Sequence, residues 1–299
     1  MELLQSGDVI RIVAPARKIA REELACSVRY LQQKGFHVEF GNHLFGEFHQ
    51  YAGTDEQRAE DFQQALDSRQ VKALWCARGG YGSLRMLDLI DFSAFAQNPK
   101  WICGYSDITV FHAHIHTAFH LPTLHATMPI NIQGEDIHYK ALDTMLSALR
   151  HGEVAYSFPA EAINRKGKAE GVLCGGNLSV LFALNGSVSD IQTDGKILFI
   201  EDLDEYLYHI DRMMMCLKRS GKLAKLAALI VGGMTKMNDN TIAFGKTAEE
   251  IIMEHVSEYE YPVCFRFPAG HIPDNNALIM GGYAVLDASS NNVNITIKA

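Results

Sequence analysis

The sequence predicts an α/β protein organised around a parallel sheet. In its first half, short apolar runs alternate with segments of helical spacing, as repeated strand–helix–strand units require. Four stretches rich in glycine or acids stand where apolar runs end: "RGGYG" (78–82), "GYSD" (104–107), "EDLDE" (201–205) and "GHIPDNN" (270–276). Open α/β sheets collect their sites at strand ends of this kind.

"DVIRIVAPA" (8–16) reads as the first strand, turned by the proline of "VAPAR". "REELACSVRYLQQKG" (21–35) has helical spacing and stops at Gly35. "HVEFGNH" (37–43) alternates as a strand does. "TDEQRAEDFQQALDS" (54–68) opens with Thr54 as an N-cap and Gln57 three residues on as its capping-box partner. "VKALWCARGG" (71–80) is a buried strand running into glycines, "SLRMLDLI" (83–90) a short helix, and "KWICGYS" the next strand. The polar segment 151–170 has no helical period and reads as a linker between a domain at 1–150 and another at 171–299. Beyond it, "GVLCGGNLSVLFALNG" (171–186) is glycine-rich and then helical, and "KILFIEDLDE" (196–205) is a buried strand ending in acids. Helices are expected over 209–221 and 243–258, a strand over 226–234, and a strand running into a loop over 261–272. The tail reads as a hairpin turning at 289–292.

Length and composition narrow the function. The chain has 299 residues, 47% apolar and 21% charged, enough for one large domain or two modest ones. Lys plus Arg number 27 and Asp plus Glu 35, giving a net charge of −8 without a basic run. Such a chain is poorly suited to gripping nucleic acid by its phosphates, and any anionic substrate group needs a local cation. No apolar run reaches the length of a membrane-spanning helix, and the first residues read as a strand rather than an export signal. Six cysteines lie far apart, with no CxxC pair, as in a cytosolic protein with reduced thiols and no cysteine-held zinc.

Ser106 stands between an apolar run and a helix-compatible one, preceded by Gly104. A strand-to-helix turn can hold out a serine as a nucleophile, with helix N–H groups behind it for an oxyanion. The pattern lacks the second glycine of G-x-S-x-G, since Ile108 stands there, so an N-cap serine is the other reading. A nucleophilic serine needs a base. His271 follows a glycine in a loop with Pro273, Asp274 and two asparagines. It is either that base or a hydrogen-bonded loop histidine. Glu201 closes an apolar run and should be the most buried acid of its group. Such a carboxylate needs a partner, whereas Asp202, Asp204 and Glu205 are expected to be solvated or salt-bridged. Gly79 and Gly80 could bring backbone N–H groups close to an oxyanion. Their G-G-x-G spacing does not fit a dinucleotide fingerprint. Arg78 could hold a substrate carboxylate as a fork or make a surface ion pair. Asn177 could cap the helix after "GGN" or face the site. His112, His116 and His120 share a helix face but lack an acid or cysteine to complete a metal set.

Together, "APA" near the start, "RGGYG", "GYSD-I-T", "GGNLS", "EDLDE" with "IDRMM", and "AGH" resemble the LD-carboxypeptidase family over nearly the whole chain. The resemblance implies serine peptidases that act on cell-wall peptides, with a triad falling on Ser106, Glu201 and His271. It implies an oxyanion hole from the N–H of Asp107 and of Gly79 or Gly80. It implies a Rossmann-like N-terminal domain carrying the serine and a β-rich C-terminal domain carrying the glutamate and histidine, with the site in the cleft between them. The expected substrate is a murein tetrapeptide losing its terminal D-alanine during peptidoglycan recycling. Arg78 and Asn177 would contact substrate. No cofactor or metal, a cytoplasmic location and a homodimer are the matching expectations. Ala16 and "LHATMP" (124–129) depart from the usual family pattern at the pocket edges.

Two other functions fit parts of the sequence. A related hydrolase of the same superfamily inactivates peptide–nucleotide antibiotics, and its members tend to stack an aromatic from an extra loop on the base. Trp75 and Trp101, the only tryptophans, fall in expected strands instead. A non-catalytic ligand-binding module would not need a serine, a glutamate and a histidine all at strand ends.

Overall fold

A computed structural model describes residues 1–132 and 140–299. In chain order the strands of its first half are β1 (Val9–Val13), β2 (His37–Phe40), β3 (Val71–Cys76), β4 (Trp101–Gly104) and β5 (Thr123–His125). Then follow β6 (Glu153–Pro159), β7 (Gly167–Asn177), β8 (Ile197–Leu203) and β9 (Ala228–Thr235). The last are β10 (Val263–Cys264), β11 (Leu278–Met280), β12 (Tyr283–Ala288) and β13 (Asn292–Lys298).

One sheet has the order β11-β5-β4-β3-β1-β2, and every neighbouring pair from β5 to β2 is parallel. All four residues of the central strand β4 are buried, as expected for a parallel sheet covered on both faces. The helix Asp55–Asp67 begins as the sequence predicts, with Thr54 and Gln57 bonding each other's backbone N–H. The other sheet has the order β10-β9-β8-β7-β12-β13-β6. Strands β7 to β10 are parallel, and β12, β13 and β6 extend the sheet antiparallel. The expected terminal hairpin is present, with Ser289 N–H bonded to the Asn292 carbonyl.

Two expectations change. Residues 151–170 are not simply a linker: β6 occupies 153–159 and pairs with β13, and β7 begins at Gly167. β6 keeps one face toward solvent, so its apolar signal is weak, and its partner lies at the far end of the chain. β11, from the C-terminal half, pairs antiparallel with β5 and so belongs to the first sheet. The strand running into a loop over 261–272 is present, as Val263–Cys264 followed by loop.

Candidate active site

The parallel strands of both sheets direct their carboxyl ends at one cavity of about 600 Å³. Arg17 reaches it after β1, Arg78–Gly80 after β3, Tyr105–Asp107 after β4, and Met128, Ile130 and Asn131 after β5. From the other sheet come Asn177 at the end of β7, Asp202–Glu205 at the end of β8, and His271 after β10. The first sheet's 2-1-3-4-5 order reverses direction between β1 and β3, where open sheets bind their ligands.

Ser106 takes a left-handed φ of 64° immediately after β4. That conformation costs a non-glycine residue on the order of 1 kcal/mol, so the surrounding structure must enforce it. Ser106 does not cap the following helix, since no side-chain cap bond is made there. A tight turn followed by the helix Thr109–Phe119 is what remains, and it turns the Oγ toward the cavity. Gly79 packs against it: a Cβ at that position would lie 2.9 Å from Ser106 Cβ, 3.0 Å from its Oγ and 3.3 Å from the Asp107 nitrogen. Only a glycine leaves this space beside the Asp107 N–H. Gly80 instead packs under the side chain of Arg17. The Asp107 carboxylate turns away and accepts from Ser83 N–H at 2.8 Å, and burial raises its pKa.

Across the cavity, Glu201 is fully buried and its Oε2 accepts from His271 Nδ1 at 2.6 Å and from His271 N–H at 3.2 Å. Two bonds to one oxygen fix both the ring and its loop. The close approach requires Gly270: with φ 102°, its missing Cβ would sit 2.8 Å from Glu201 Oε2. The Tyr105 ring lies 4.7 Å from the His271 ring, centroid to centroid. Burial, then the charge of Glu201, pushes the Tyr105 hydroxyl up to about 12. No hydrogen bond joins Ser106 Oγ to His271 among the described residues, though both line the same cavity. With Nδ1 held by a carboxylate, the imidazole presents Nε2 as an acceptor, the state a general base requires.

Sequence reasoning misjudged Asp202. It is not solvated but 1% exposed, and accepts from Asn177 Nδ2 (2.9 Å), Ser179 N–H (2.8 Å) and Leu203 N–H (2.9 Å). Burial, then the charge of Glu201, pushes its carboxyl up to about 7. The pleat of β8 explains this, since adjacent residues face opposite ways: Glu201 turns to His271 and Asp202 to Asn177. Asp204 accepts from Asn238, and Glu205 bonds His209 at 2.5 Å. Asn177 does both things considered for it, capping the helix Leu178–Leu184 and lining the cavity.

Arg78 makes no ion pair among the described residues. Its Nη1 donates to the Lys18 carbonyl at 3.1 Å, leaving the rest of the guanidinium beside the cavity. Sequence reasoning missed Arg17, a second cation there, whose only signal was its place after the turn that ends β1. It also missed buried Arg58, which donates to the Pro15 and Gly82 carbonyls and ties the turn after β1 to the loop after β3. The three histidines do not converge. His112 bonds Thr123 and the Gly104 carbonyl, with burial pushing it down to about 4, while His116 bonds Lys196. Among the described residues no group of three or more His, Cys, Asp or Glu is arranged to hold a metal ion. No helix among them is long and apolar enough to cross a membrane.

Fold and cleft define the class: a two-sheet α/β protein with strand ends of both sheets facing one cavity. Residues 10–126 match the model of the LD-carboxypeptidase N-terminal domain and residues 170–286 that of the C-terminal domain. A probable murein peptide carboxypeptidase of Bacillus subtilis is 32% identical, over 96% of this chain and 91% of the relative. A murein tetrapeptide carboxypeptidase of Pseudomonas aeruginosa is 32% identical, over 94% and 93%. The microcin C7 self-immunity protein MccF of Escherichia coli is 29% identical, over 98% and 94%. The crystal structure of muramoyltetrapeptide carboxypeptidase from Oxalobacter formigenes superposes with a TM-score of 0.89 at 26% identity, covering 97% of this chain and 99% of that one. The chain belongs to the LD-carboxypeptidase family and is a serine-type carboxypeptidase.

Proposed function

We propose that the chain hydrolyses the L,D-peptide bond of a murein tetrapeptide and releases its terminal D-alanine, with Ser106 as nucleophile. His271 takes the serine proton through Nε2 as Oγ attacks the carbonyl of the L-centre. Glu201 holds the ring and stabilises the imidazolium. The N–H of Asp107 and an N–H of the Gly79–Gly80 pair, with Gly79 the nearer residue, receive the oxyanion. His271 then gives its proton to the leaving amine, and water hydrolyses the acyl-enzyme by the same steps. Arg78 takes the substrate's terminal carboxylate and Asn177 contacts the peptide. The N-terminal part of the chain thus supplies the nucleophile and the C-terminal part the base and its acid. Release of D-alanine from a soluble tetrapeptide fits a cytoplasmic recycling step, and a homodimer is the assembly expected with it.

The observation that carries this reading is the contact between fully buried Glu201 and His271, 2.6 Å long, in the cavity that Ser106 also lines. The test is incubation with tetrapeptide and pentapeptide muropeptides, following D-alanine by mass. Wild type should release it from the tetrapeptide, and Ser106→Ala should lose on the order of 10⁶-fold in turnover while keeping its fold. Near-normal turnover by that variant would sink the serine mechanism.

A second reading, cleavage of a peptide–nucleotide conjugate, draws on the likeness to MccF. Against it, Trp75 and Trp101 are both fully buried in β3 and β4 and cannot stack on a base. Turnover of an aminoacyl sulfamoyl adenosine but not of tetrapeptide would favour it.

A further inference from the structure

The nucleophile and its base stand on different sheets, and no hydrogen bond joins them here. The distance across which the proton moves is therefore set by how the two halves of the chain are registered. One polar chain ties them immediately beside the site. Thr109, the first residue of the helix that follows the Ser106 turn, accepts through Oγ1 from Asn177 N–H at 3.0 Å. Asn177 Nδ2 donates to Asp202 Oδ1 at 2.9 Å, and Asp202 is the strand neighbour of Glu201. All three residues are buried, at 0%, 3% and 1% exposure. Gly176 makes the approach possible: a Cβ there would lie 2.5 Å from Thr109 Oγ1. His114 and His116 bond the second half of the chain further along the same helix, to Ser189 and Lys196, away from the serine.

We infer that Thr109 and Asp202, joined through Asn177, form a latch that positions the Ser106 turn against the strand carrying Glu201. Both are positioning residues. This rests on the serine mechanism proposed above and adds to it the means by which nucleophile and base are brought to reacting distance. All three hydrogen bonds of Asp202 are accepted by its carboxyl oxygens. That is the requirement of a hub that orients donors from β7, the following helix and its own strand.

The test compares wild type with Thr109→Val, Thr109→Ser, Asp202→Asn and the Thr109→Val/Asp202→Asn double variant. Two readouts are taken: kcat and KM for D-alanine release from tetrapeptide, and the rate of fluorophosphonate labelling at Ser106, which needs no peptide. Misplacing reacting groups costs about ten- to a hundred-fold. Thr109→Val should therefore lower kcat and the labelling rate by that factor, with KM within about twofold. Thr109→Ser keeps the acceptor and should restore both rates. The double variant should be little worse than the poorer single, because both changes break one chain. Full rates in Thr109→Val, failure of serine to rescue, or multiplying losses would overturn the latch. If wild type labels at Ser106 but releases no D-alanine, the proposed substrate falls. The labelling rates then decide the latch alone, supporting it if they follow the pattern above and overturning it if they do not.

Discussion

Replacing Glu201 with glutamine tests the heart of the proposed mechanism. The change keeps shape and volume and removes one charge at a position with no exposed surface. In wild type, Oε2 accepts from both His271 Nδ1 and His271 N–H. A glutamine oxygen can keep these bonds but cannot offset the positive charge on the ring after it takes the serine proton. If the amide turns its NH₂ to the ring instead, Nδ1 becomes the acceptor and Nε2 holds the proton, so the base faces the serine in the wrong tautomer. Either route raises the barrier in a site where water does not screen the loss. For an orienting carboxylate of this kind the expected cost is about 10³- to 10⁴-fold in kcat, or about 4–5.5 kcal/mol. The oxyanion donors are untouched, so activity above background should remain, and KM should change little. The assay is initial-rate D-alanine release from pH 6 to 9, with a urea melt to show that the variant is folded. A folded Glu201→Gln enzyme within tenfold of wild-type kcat would refute the assignment of Glu201.

Three further outcomes are expected. Arg78→Lys keeps the charge and loses the planar fork, so kcat/KM should drop about ten- to a hundred-fold; amidating the substrate C-terminus should then cost wild type much more than the variant. Equal losses would make Arg78 a support for the Lys18 loop rather than a reader of the carboxylate. Gly270→Ala forces a methyl to within 2.8 Å of Glu201 Oε2 at a φ of 102°. It should cost about 1–3 kcal/mol in urea unfolding and at least tenfold in kcat, and an unchanged enzyme would mean that the loop adjusts freely. The last concerns pH. Asp202 has its carboxyl raised from 3.8 to about 7, so between these values the native state holds a proton that the unfolded chain releases. Its contribution therefore favours folding at low pH and is lost as pH rises toward 7. The unfolding free energy of wild type minus that of Asp202→Asn should fall from pH 4 to 7, by on the order of 4 kcal/mol at most, and level off above. A difference that is flat or rises over this range would contradict the burial argument.

The sequence by itself determined the α/β class, the reach of most elements in the first half and the strand-end placement of the polar motifs. These are local properties: apolar period, glycine punctuation and the reciprocal caps of Thr54 and Gln57 are written within a few residues of one another. It also singled out Ser106, Glu201 and His271, because a serine at a turn, an acid closing an apolar run and a histidine after a glycine each carry a local signal. Tertiary structure decided the rest, since pairing across distance leaves little trace in a single stretch. β6 reads as a polar linker because its partner, β13, lies at the other end of the chain. β11 joins the sheet of the opposite half for the same reason. Arg17 enters the cavity only because β1 ends beside β3, and Arg58 matters only because it ties the two loops there. Glu201 shows its burial by closing an apolar run, but the adjacent Asp202 carries no local sign that it is buried as well. Only the pleat of β8, which sends one to His271 and the other to Asn177, gives them different partners.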